Sequence, residues 1–328
     1  MSTKQNAQTQ TKSPTKPLIL IFGLIMVCVM ILAELKALIK VDDEIGIEHN
    51  IRVPLPPFVV VTGASGNHFC PLQAWVISLH AKVATLPRYR RPRIIVYDLG
   101  LDNEQITTLN TMRSNGMFHE LRKLEWSKYP SFWNISVNAG EYGWKTGIIG
   151  EVVRDYPGVV VWLDSGTLIQ PDFFSHVDLV STEYAGFLSP KSPSNLLRWT
   201  HPGVFEYFND DPAKYKRVHN CNAAAIVFDY NVRKHLVDRW VNCGWVKDCI
   251  APDGSSRENH RQDQALLTYL AAKEGLYCTQ GQASIGIKVQ RDAKCHNIIH
   301  EWMNSITPEH NETDISNVTN SHEHEKTD

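Results

Sequence analysis

Two aspartates follow apolar runs of strand length, and their carboxylates are the first candidates for chemistry. Residues 159–163 (VVVWL) precede Asp164, and residues 94–97 (IIVY) precede Asp98. Continuous apolar runs of this length indicate strands that are buried on both faces. Because the carboxyl ends of parallel strands meet at one edge of a sheet, both carboxylates are expected at a common rim. Oxygen ligands there suit Mg²⁺ or Mn²⁺, or the base and ribose of a nucleotide. The alternative for Asp164 is that it only caps a turn.

Lys145 and Gly63 complete the set of candidates near that rim. Lys145 belongs to a predicted helix at 141–154, directly before the strand that ends at Asp164, and is suited to pair with a diphosphate. Gly63 belongs to the glycine-rich turn 62–66 (TGASG), which can let a backbone approach a nucleotide closely. The alternatives are a surface lysine and a plain turn between a strand and a helix.

The TGASG turn resembles the dinucleotide loop of short-chain dehydrogenases and epimerases, but two features of that family are missing. The loop needs a third glycine near Phe69, so that the helix can approach the strand and hold a pyrophosphate. His68, Phe69 and Cys70 occupy that region instead. The Tyr-x-x-x-Lys pair is also missing, because Tyr142 and Lys145 are one residue too close. An NAD enzyme is therefore a less favoured interpretation.

The apolar pattern around these residues predicts the elements that position them. Strands alternate with helices between residues 58 and 163, in the order βαβαβ followed by a further αβ pair. This order is typical of an α/β domain in which helices cover a mostly parallel sheet. Beyond Pro171 the order of predicted strands and helices is less regular. The polar tail at 303–328 is predicted to be disordered.

Composition and charge exclude some classes of partner. The 328 residues are 43% hydrophobic and 21% charged, which suits a globular domain and argues against long disordered regions. The formal net charge of −2 provides no basic field that would attract a nucleic acid.

An apolar run near the amino terminus predicts a single-pass membrane anchor at 17–35. Residues 18–33 are apolar throughout, which is longer than a signal-peptide core, and no small-residue cleavage pattern follows. A buried core helix is not favoured either, because it would show polar positions on one face and this run has none. Three lysines and no acids precede the run, so the positive-inside rule places the tail at 1–16 in the cytosol. The stem at 36–57 and the domain would then be lumenal, in the Golgi or ER, since a short span suits thinner membranes.

A lumenal location gives the cysteines and glycosylation sequons a meaning. Six cysteines follow the predicted anchor, and some of them are expected to form disulfides in an oxidising compartment. Cys243 and Cys249 are the most plausible short loop, and the other pairings stay open. Zinc is not favoured, because no C-x-x-C pair is present. The N-x-S/T pattern marks three candidate glycosylation sites: Asn134, Asn311 and Asn317.

Three segments give the sequence a resemblance to a known enzyme family. VVWLDSG at 160–166, CNAAAIVFD at 221–229 and HRQDQALL at 260–267, together with the anchor, resemble the nucleotide-sugar glycosyltransferases of the GT-A fold, and family 8 in particular. The resemblance covers 58–302, in arrangement more than in identities. It implies a GT-A-type, Rossmann-like α/β domain whose mixed, mostly parallel sheet is flanked by helices, after an N-terminal transmembrane helix.

The resemblance also implies roles for individual residues. Asp164 corresponds to the first aspartate of the Asp-x-Asp motif that binds Mn²⁺ and the sugar diphosphate, and Gly166 replaces the second aspartate. Similar enzymes use a late histidine as a metal or diphosphate ligand, and His296 is favoured here over His300. The other implied residues are Asp263 and Gln264 as catalytic groups near the sugar and acceptor, and Asn222 beside the donor sugar. Asp98, Lys145 and Gly63 would complete the substrate site.

The expected activity is therefore transfer of a sugar from a nucleotide diphosphate sugar to a glycan or glycoprotein acceptor, supported by Mn²⁺ or Mg²⁺. The alternative is a catalytically inactive domain of the same fold that binds glycans or a partner enzyme, which the missing second acid favours. The sequence does not identify the donor sugar, the acceptor, or whether the configuration at the transferred carbon is retained or inverted.

Overall fold

The computed structural model describes residues 56–306, so the predicted anchor at 17–35, the tail at 1–16 and nearly all of the stem lie outside the described residues. Asn311 and Asn317 also lie outside them. Within 56–306, no helix is long and apolar enough to cross a membrane.

A six-stranded sheet forms the centre of the described domain. The strands within 56–306 are β1 Val59–Ala64, β2 Arg93–Asp98, β3 Glu120–Lys123, β4 Val159–Leu163, β5 Leu168–Ile169, β6 Phe187–Leu188, β7 Lys191–Asn195, β8 His219–Cys221, β9 Ala225–Asp229 and β10 Ile287–Lys288. The central order is β3-β2-β1-β4-β9-β6. Strands β1 to β4 are mutually parallel, whereas β9 is antiparallel to both of its neighbours. The predicted mixed, mostly parallel sheet is confirmed.

Helices cover both faces of this sheet. They are α1 Phe69–Ala84, α2 Asn103–Ser114, α3 Gly143–Asp155, α4 Phe173–Asp178, α5 Pro202–Tyr207, α6 Tyr230–Gly244, α7 Lys247–Ile250, α8 Gln262–Lys273 and α9 Cys295–Ile306. Successive strand residues point to opposite faces. Val61 and Trp162 accordingly pack in the core that contains α3, α6 and α8. Val60 and Val161 pack in the core that contains α1, α2 and α4. The predicted start of the tail at 303 is wrong, because α9 continues to Ile306.

The described residues contain three disulfides, which confirms the prediction that some of the cysteines pair. They are Cys70–Cys295, Cys221–Cys278 and Cys243–Cys249. The predicted short loop is the third of these. The first joins the start of α1 to the start of α9 across a sequence separation of 225 residues.

We expect the disulfides that close the longest and the shortest loop to differ in their contribution to stability. Loop-closure entropy in the unfolded chain predicts a loss of about 5 kcal/mol on removing the Cys70–Cys295 bond and about 2 kcal/mol on removing Cys243–Cys249. Denaturant unfolding of the two double-serine variants measures both values. Equal losses would show that native-state packing, and not loop length, determines the contribution of these bonds.

Candidate active site

A cavity of about 740 Å³ opens at the carboxyl rim of the parallel strands. The turn after β1, the segment after β4, the segment before β9 and the first residues of α3 and α8 form its wall. Of the residues singled out from sequence, Gly63, Lys145, Asp164, Asn222, Asp263 and Gln264 line it. The prediction that β2 and β4 end at the same rim is confirmed, because both are parallel to β1.

Lys145 joins two carboxylates at the base of this cavity. Its Nζ lies 3.0 Å from Asp164 Oδ1 and 2.9 Å from Asp263 Oδ2, and it donates to the carbonyl oxygen of Ala223 at 3.1 Å. Lys145 is 2% exposed, so its charge is compensated within the protein. The ammonium group thus already contacts three acceptors of the protein, and its direct pairing with a diphosphate stays a prediction.

The two carboxylates differ in their environment. Burial raises the pKa of Asp263, and the attraction of Lys145 opposes that rise. Burial also acts to lower the pKa of Lys145, but the charges of Asp164 and Asp263 outweigh it and raise that pKa. The side chain of Asp164 is 42% exposed and that of Asp263 is 7% exposed. Asp164 is thus the more exposed of the two carboxylates on the cavity wall, whereas that of Asp263 is nearly buried beside Lys145.

Asp164 is fixed at the end of β4 by contacts to its backbone and to one carboxylate oxygen. Its backbone N–H donates to the carbonyl oxygen of Ala224, and its own carbonyl oxygen accepts from the N–H of Thr167, both at 2.8 Å. The indole Nε1 of Trp162 donates to Oδ1 at 2.6 Å. Because Trp162 and Lys145 both contact Oδ1, the second oxygen, Oδ2, is placed to bind a ligand.

Asp292 supplies a second carboxylate beside Asp164, and sequence reasoning missed it. A Cβ added at Gly166 would lie 2.6 Å from both carboxylate oxygens of Asp292, so this side chain takes the space that a side chain at 166 would need. Asp292 lines the cavity with Asp164. The N–H of Arg291 donates to the carbonyl oxygen of Gly166 at 2.8 Å, which fixes the two segments to each other. Two carboxylates on one wall are a donor set that fits Mn²⁺ or Mg²⁺.

The small residues before β9 are held against the first turn of α8. The backbone N–H of Ala223 donates to Gln264 Oε1 at 3.3 Å, and that of Ala224 donates to Asn222 Oδ1 at 3.1 Å. The indole of Trp240 donates to the carbonyl oxygen of Asp263 at 2.9 Å. These bonds place the Asn222 segment and the α8 residues on one continuous wall.

A left-handed turn at 138–142 forms the entrance to α3. Four of its residues other than glycine have φ between +48° and +55°, which is costly for an L-residue. Gly140 is required there, because a Cβ would lie 2.1 Å from the carbonyl oxygen of Trp133. The predicted start of the helix at 141 is therefore two residues early. The turn places Ala139 and Tyr142 on the cavity wall, and strained backbone of this kind is common at functional sites.

Two predicted site residues do not reach the cavity. Asp98 is 5% exposed, and its Oδ1 accepts from the backbone N–H groups of Gly100 and Leu101, each at 2.7 Å. Asp98 does not line the cavity: its carboxylate shapes the turn that brings Gly100 to the cavity wall, and its role in substrate binding stays a prediction. His296 is exposed on α9 beside the Cys70–Cys295 disulfide and does not line the cavity. Asp292, four residues earlier, lines the cavity, and the role of His296 as a metal ligand stays a prediction.

The comparisons with known proteins find structural likeness alone. No family model matches the chain, and no curated protein matches it. The galactosyltransferase LgtC in complex with donor and acceptor sugar analogues is similar at 17% identity and a TM-score of 0.42, over 65% of this chain and 70% of LgtC. The bifunctional glycosyltransferase WbbM is similar at 13% identity and a TM-score of 0.44, over 69% of this chain and 38% of WbbM. Mouse xyloside xylosyltransferase 1 is similar at 11% identity and a TM-score of 0.39, over 67% of this chain and 82% of the mouse protein.

Proposed function

We propose that this protein transfers a sugar from a nucleotide diphosphate sugar to a hydroxyl group of a glycan or glycoprotein. The observation that carries the proposal is the pair Asp164 and Asp292 on one wall of a cavity at the carboxyl rim of a parallel sheet. Ligands of open α/β sheets bind at this rim. The glycine-rich turn with Gly63 and the backbone at Gly100 lie on the same cavity and suit a nucleotide.

The transfer exchanges one bond for another at the first carbon of the sugar. The bond from that carbon to the diphosphate oxygen breaks, and a bond to the acceptor oxygen forms, while the proton of the acceptor hydroxyl passes to the departing diphosphate or to water. The protein therefore has to stabilise the negative charge that develops on the diphosphate. Asp164 and Asp292 would hold Mn²⁺ or Mg²⁺, which supplies positive charge to that leaving group.

The remaining polar residues of the wall suit the donor sugar. Asn222, Asp263 and Gln264 lie together there, and amide and carboxylate oxygens accept hydrogen bonds from sugar hydroxyls. Lys145 opposes the rise that burial causes in the pKa of Asp263, and it contacts Asp164 at the rim. Its role is thus to position the two acids.

The three disulfides support the proposed location in the Golgi or ER lumen, because such bonds persist in oxidising compartments. Asn134, the sequon within 56–306, is exposed and accessible to glycosylation. The single-pass anchor at 17–35 would hold the domain in that compartment.

A hydrolysis assay on the full-length protein with several UDP-sugars, with and without Mn²⁺, tests this function. We expect Asp164→Asn to lower Mn²⁺-dependent hydrolysis by roughly 100-fold, because it weakens binding of the cation that would neutralise the leaving diphosphate. Asp178→Asn is the matched control, since its side chain is 40% exposed against 42% for Asp164 and does not line the cavity. Normal turnover of Asp164→Asn would exclude the metal-binding role. Absence of UDP-sugar binding and of turnover would favour the inactive alternative, a domain that binds glycans or a partner enzyme.

A further inference from the structure

Three arginines beside the cavity have no carboxylate partner. Arg257 and Arg261 line the cavity, and Arg198 lies next to Arg261. None of the ion pairs found within residues 56–306 includes any of them. The proposed roles of the site residues do not use these charges.

Neutral groups hold the three guanidinium groups in place. Arg257 donates to the hydroxyl of Tyr142, and its guanidinium carbon lies 5.3 Å from the centre of that ring. Arg198 and Arg261 lie 4.5 Å and 4.2 Å from the centre of the Trp199 ring. Arg198 also donates to the carbonyl oxygen of Glu258 at 3.0 Å. Aromatic faces orient a guanidinium group without neutralising it, so the charges stay available for a ligand.

The cluster formed by Arg198, Arg257 and Arg261 is electrostatically unfavourable by itself. Burial lowers the pKa of Arg261, and the positive charges of Arg257 and Arg198 lower it further, because each of them repels the charge of Arg261. The nearby acids are engaged elsewhere or point to solvent. Glu141 accepts from the amides of Gln262 and Asn138. Asp263 is paired with Lys145, and the side chain of Glu258 is exposed.

We propose that Arg257 and Arg261 form an anion-binding subsite that binds a carboxylate or sulfate group on the acceptor sugar. Guanidinium groups match these planar or tetrahedral anions with paired hydrogen bonds. The acceptor is the favoured source, because the arginines belong to the segment that leads into Asp263 and Gln264. The proposed function places the donor sugar there, and the acceptor hydroxyl has to approach that sugar's first carbon. The diphosphate does not need these arginines, because the cation held at Asp164 would neutralise it. This inference rests on the proposed transferase function and specifies its acceptor as acidic.

Binding of matched sugars to the full-length protein tests the proposal. Methyl glucuronide and glucose 6-sulfate are the acidic probes, and methyl glucoside is the neutral probe, with dissociation constants measured by ligand-detected NMR. We expect the acidic sugars to bind roughly tenfold more tightly or better, because hydrogen bonds between two charged groups are the strong ones. The R257Q/R261Q variant is expected to lose this preference, and R257K/R261K is expected to keep part of it. R113Q, an exposed arginine on α2 away from the cavity, is the control.

UDP binding, measured in parallel, separates this inference from the proposed function. We expect the affinity for UDP with Mn²⁺ to change less than twofold in R257Q/R261Q. Equal affinity of the wild type for acidic and neutral sugars would overturn the proposal. It would also be overturned if R257Q/R261Q weakened UDP binding and left the sugar preference intact, because the diphosphate would then be the anion. Failure of the wild type to bind any nucleotide would contradict the transferase function, whereas the sugar measurements, made without nucleotide, would still decide the subsite.

Discussion

Asp292→Asn is expected to weaken Mn²⁺ binding by roughly 100-fold, because it removes a proposed metal ligand. Substitution of residues that only orient a ligand already lowers metal affinity by about 10- to 100-fold. Asp292 is the second carboxylate of the proposed cation site, and both of its oxygens lie 2.6 Å from the position of a Cβ at Gly166. A side chain at 166 and this carboxylate therefore cannot occupy the site together. Titration of free Mn²⁺ by electron paramagnetic resonance, with and without UDP, measures the affinity independently of turnover.

Moving the carboxylate from 292 to 166 makes the test specific. Gly166→Asp alone is expected to displace Asp292 and to destabilise the fold by about 1–3 kcal/mol through overpacking. The double variant Gly166→Asp/Asp292→Gly restores both the space and the second acid, and should recover much of the Mn²⁺ affinity. Asp172→Asn is the control, because Asp172 also packs against a glycine, Gly286, but does not line the cavity. Unchanged Mn²⁺ affinity in Asp292→Asn would show that the cation, if bound, does not use this carboxylate.

The distance along the sequence explains why Asp292 escaped prediction. The resemblance directs the search for a second acid to position 166, where the chain has glycine. In the structure, β10 pairs with β5, with Ile287 opposite Ile169, and this pairing brings the next residues of the chain back to Gly166. Strands of two residues carry too little apolar pattern for their pairing to be predicted from one sequence.

The strong predictions came from the longest apolar patterns. Strand β4 and its terminal Asp164 follow directly from the run VVVWL, because a central strand is buried on both faces. The role of Asp98 did not follow, although its strand was predicted, because an acid at a strand end can bond to the next backbone N–H groups as readily as to a ligand. The left-handed turn at 138–142 was missed because Gly140 is its one glycine.

Substitution of the buried Lys145 is the second change for which a large effect is expected, here on the stability of the fold. Lys145→Met is expected to lower the free energy of unfolding by about 3–5 kcal/mol at pH 7, because it leaves the buried carboxylate of Asp263 without its counter-charge. Asp263 is 5% exposed, so water cannot replace the ammonium group. Denaturant unfolding measures the loss. Lys214→Met is the control, since that side chain is 63% exposed in its pair with Asp210 and its removal should change stability little.

The pH dependence of this loss identifies its cause. Burial raises the pKa of Asp263 in the wild type, and removing Lys145 removes the main opposing effect, so the pKa of Asp263 rises further in the variant. An acid whose pKa is raised by folding favours the folded state at low pH, and that contribution is lost as the pH rises through the raised value. The difference between variant and wild type should therefore shrink as the pH falls through the raised pKa of Asp263 in the variant, because the protonated carboxyl group no longer needs a counter-charge.

A second substitution separates the lost counter-charge from lost packing. In Lys145→Met/Asp263→Leu no buried charge remains, and replacement of a whole buried ion pair by apolar side chains is often neutral. This variant should regain most of the stability that Lys145→Met loses and should show no dependence of the deficit on pH between 5 and 7. A deficit that persists in the double variant at every pH would mean that the lysine acts through its hydrocarbon chain and its bond to the carbonyl oxygen of Ala223. The ion pairs with Asp164 and Asp263 would then not be what holds this wall of the cavity together.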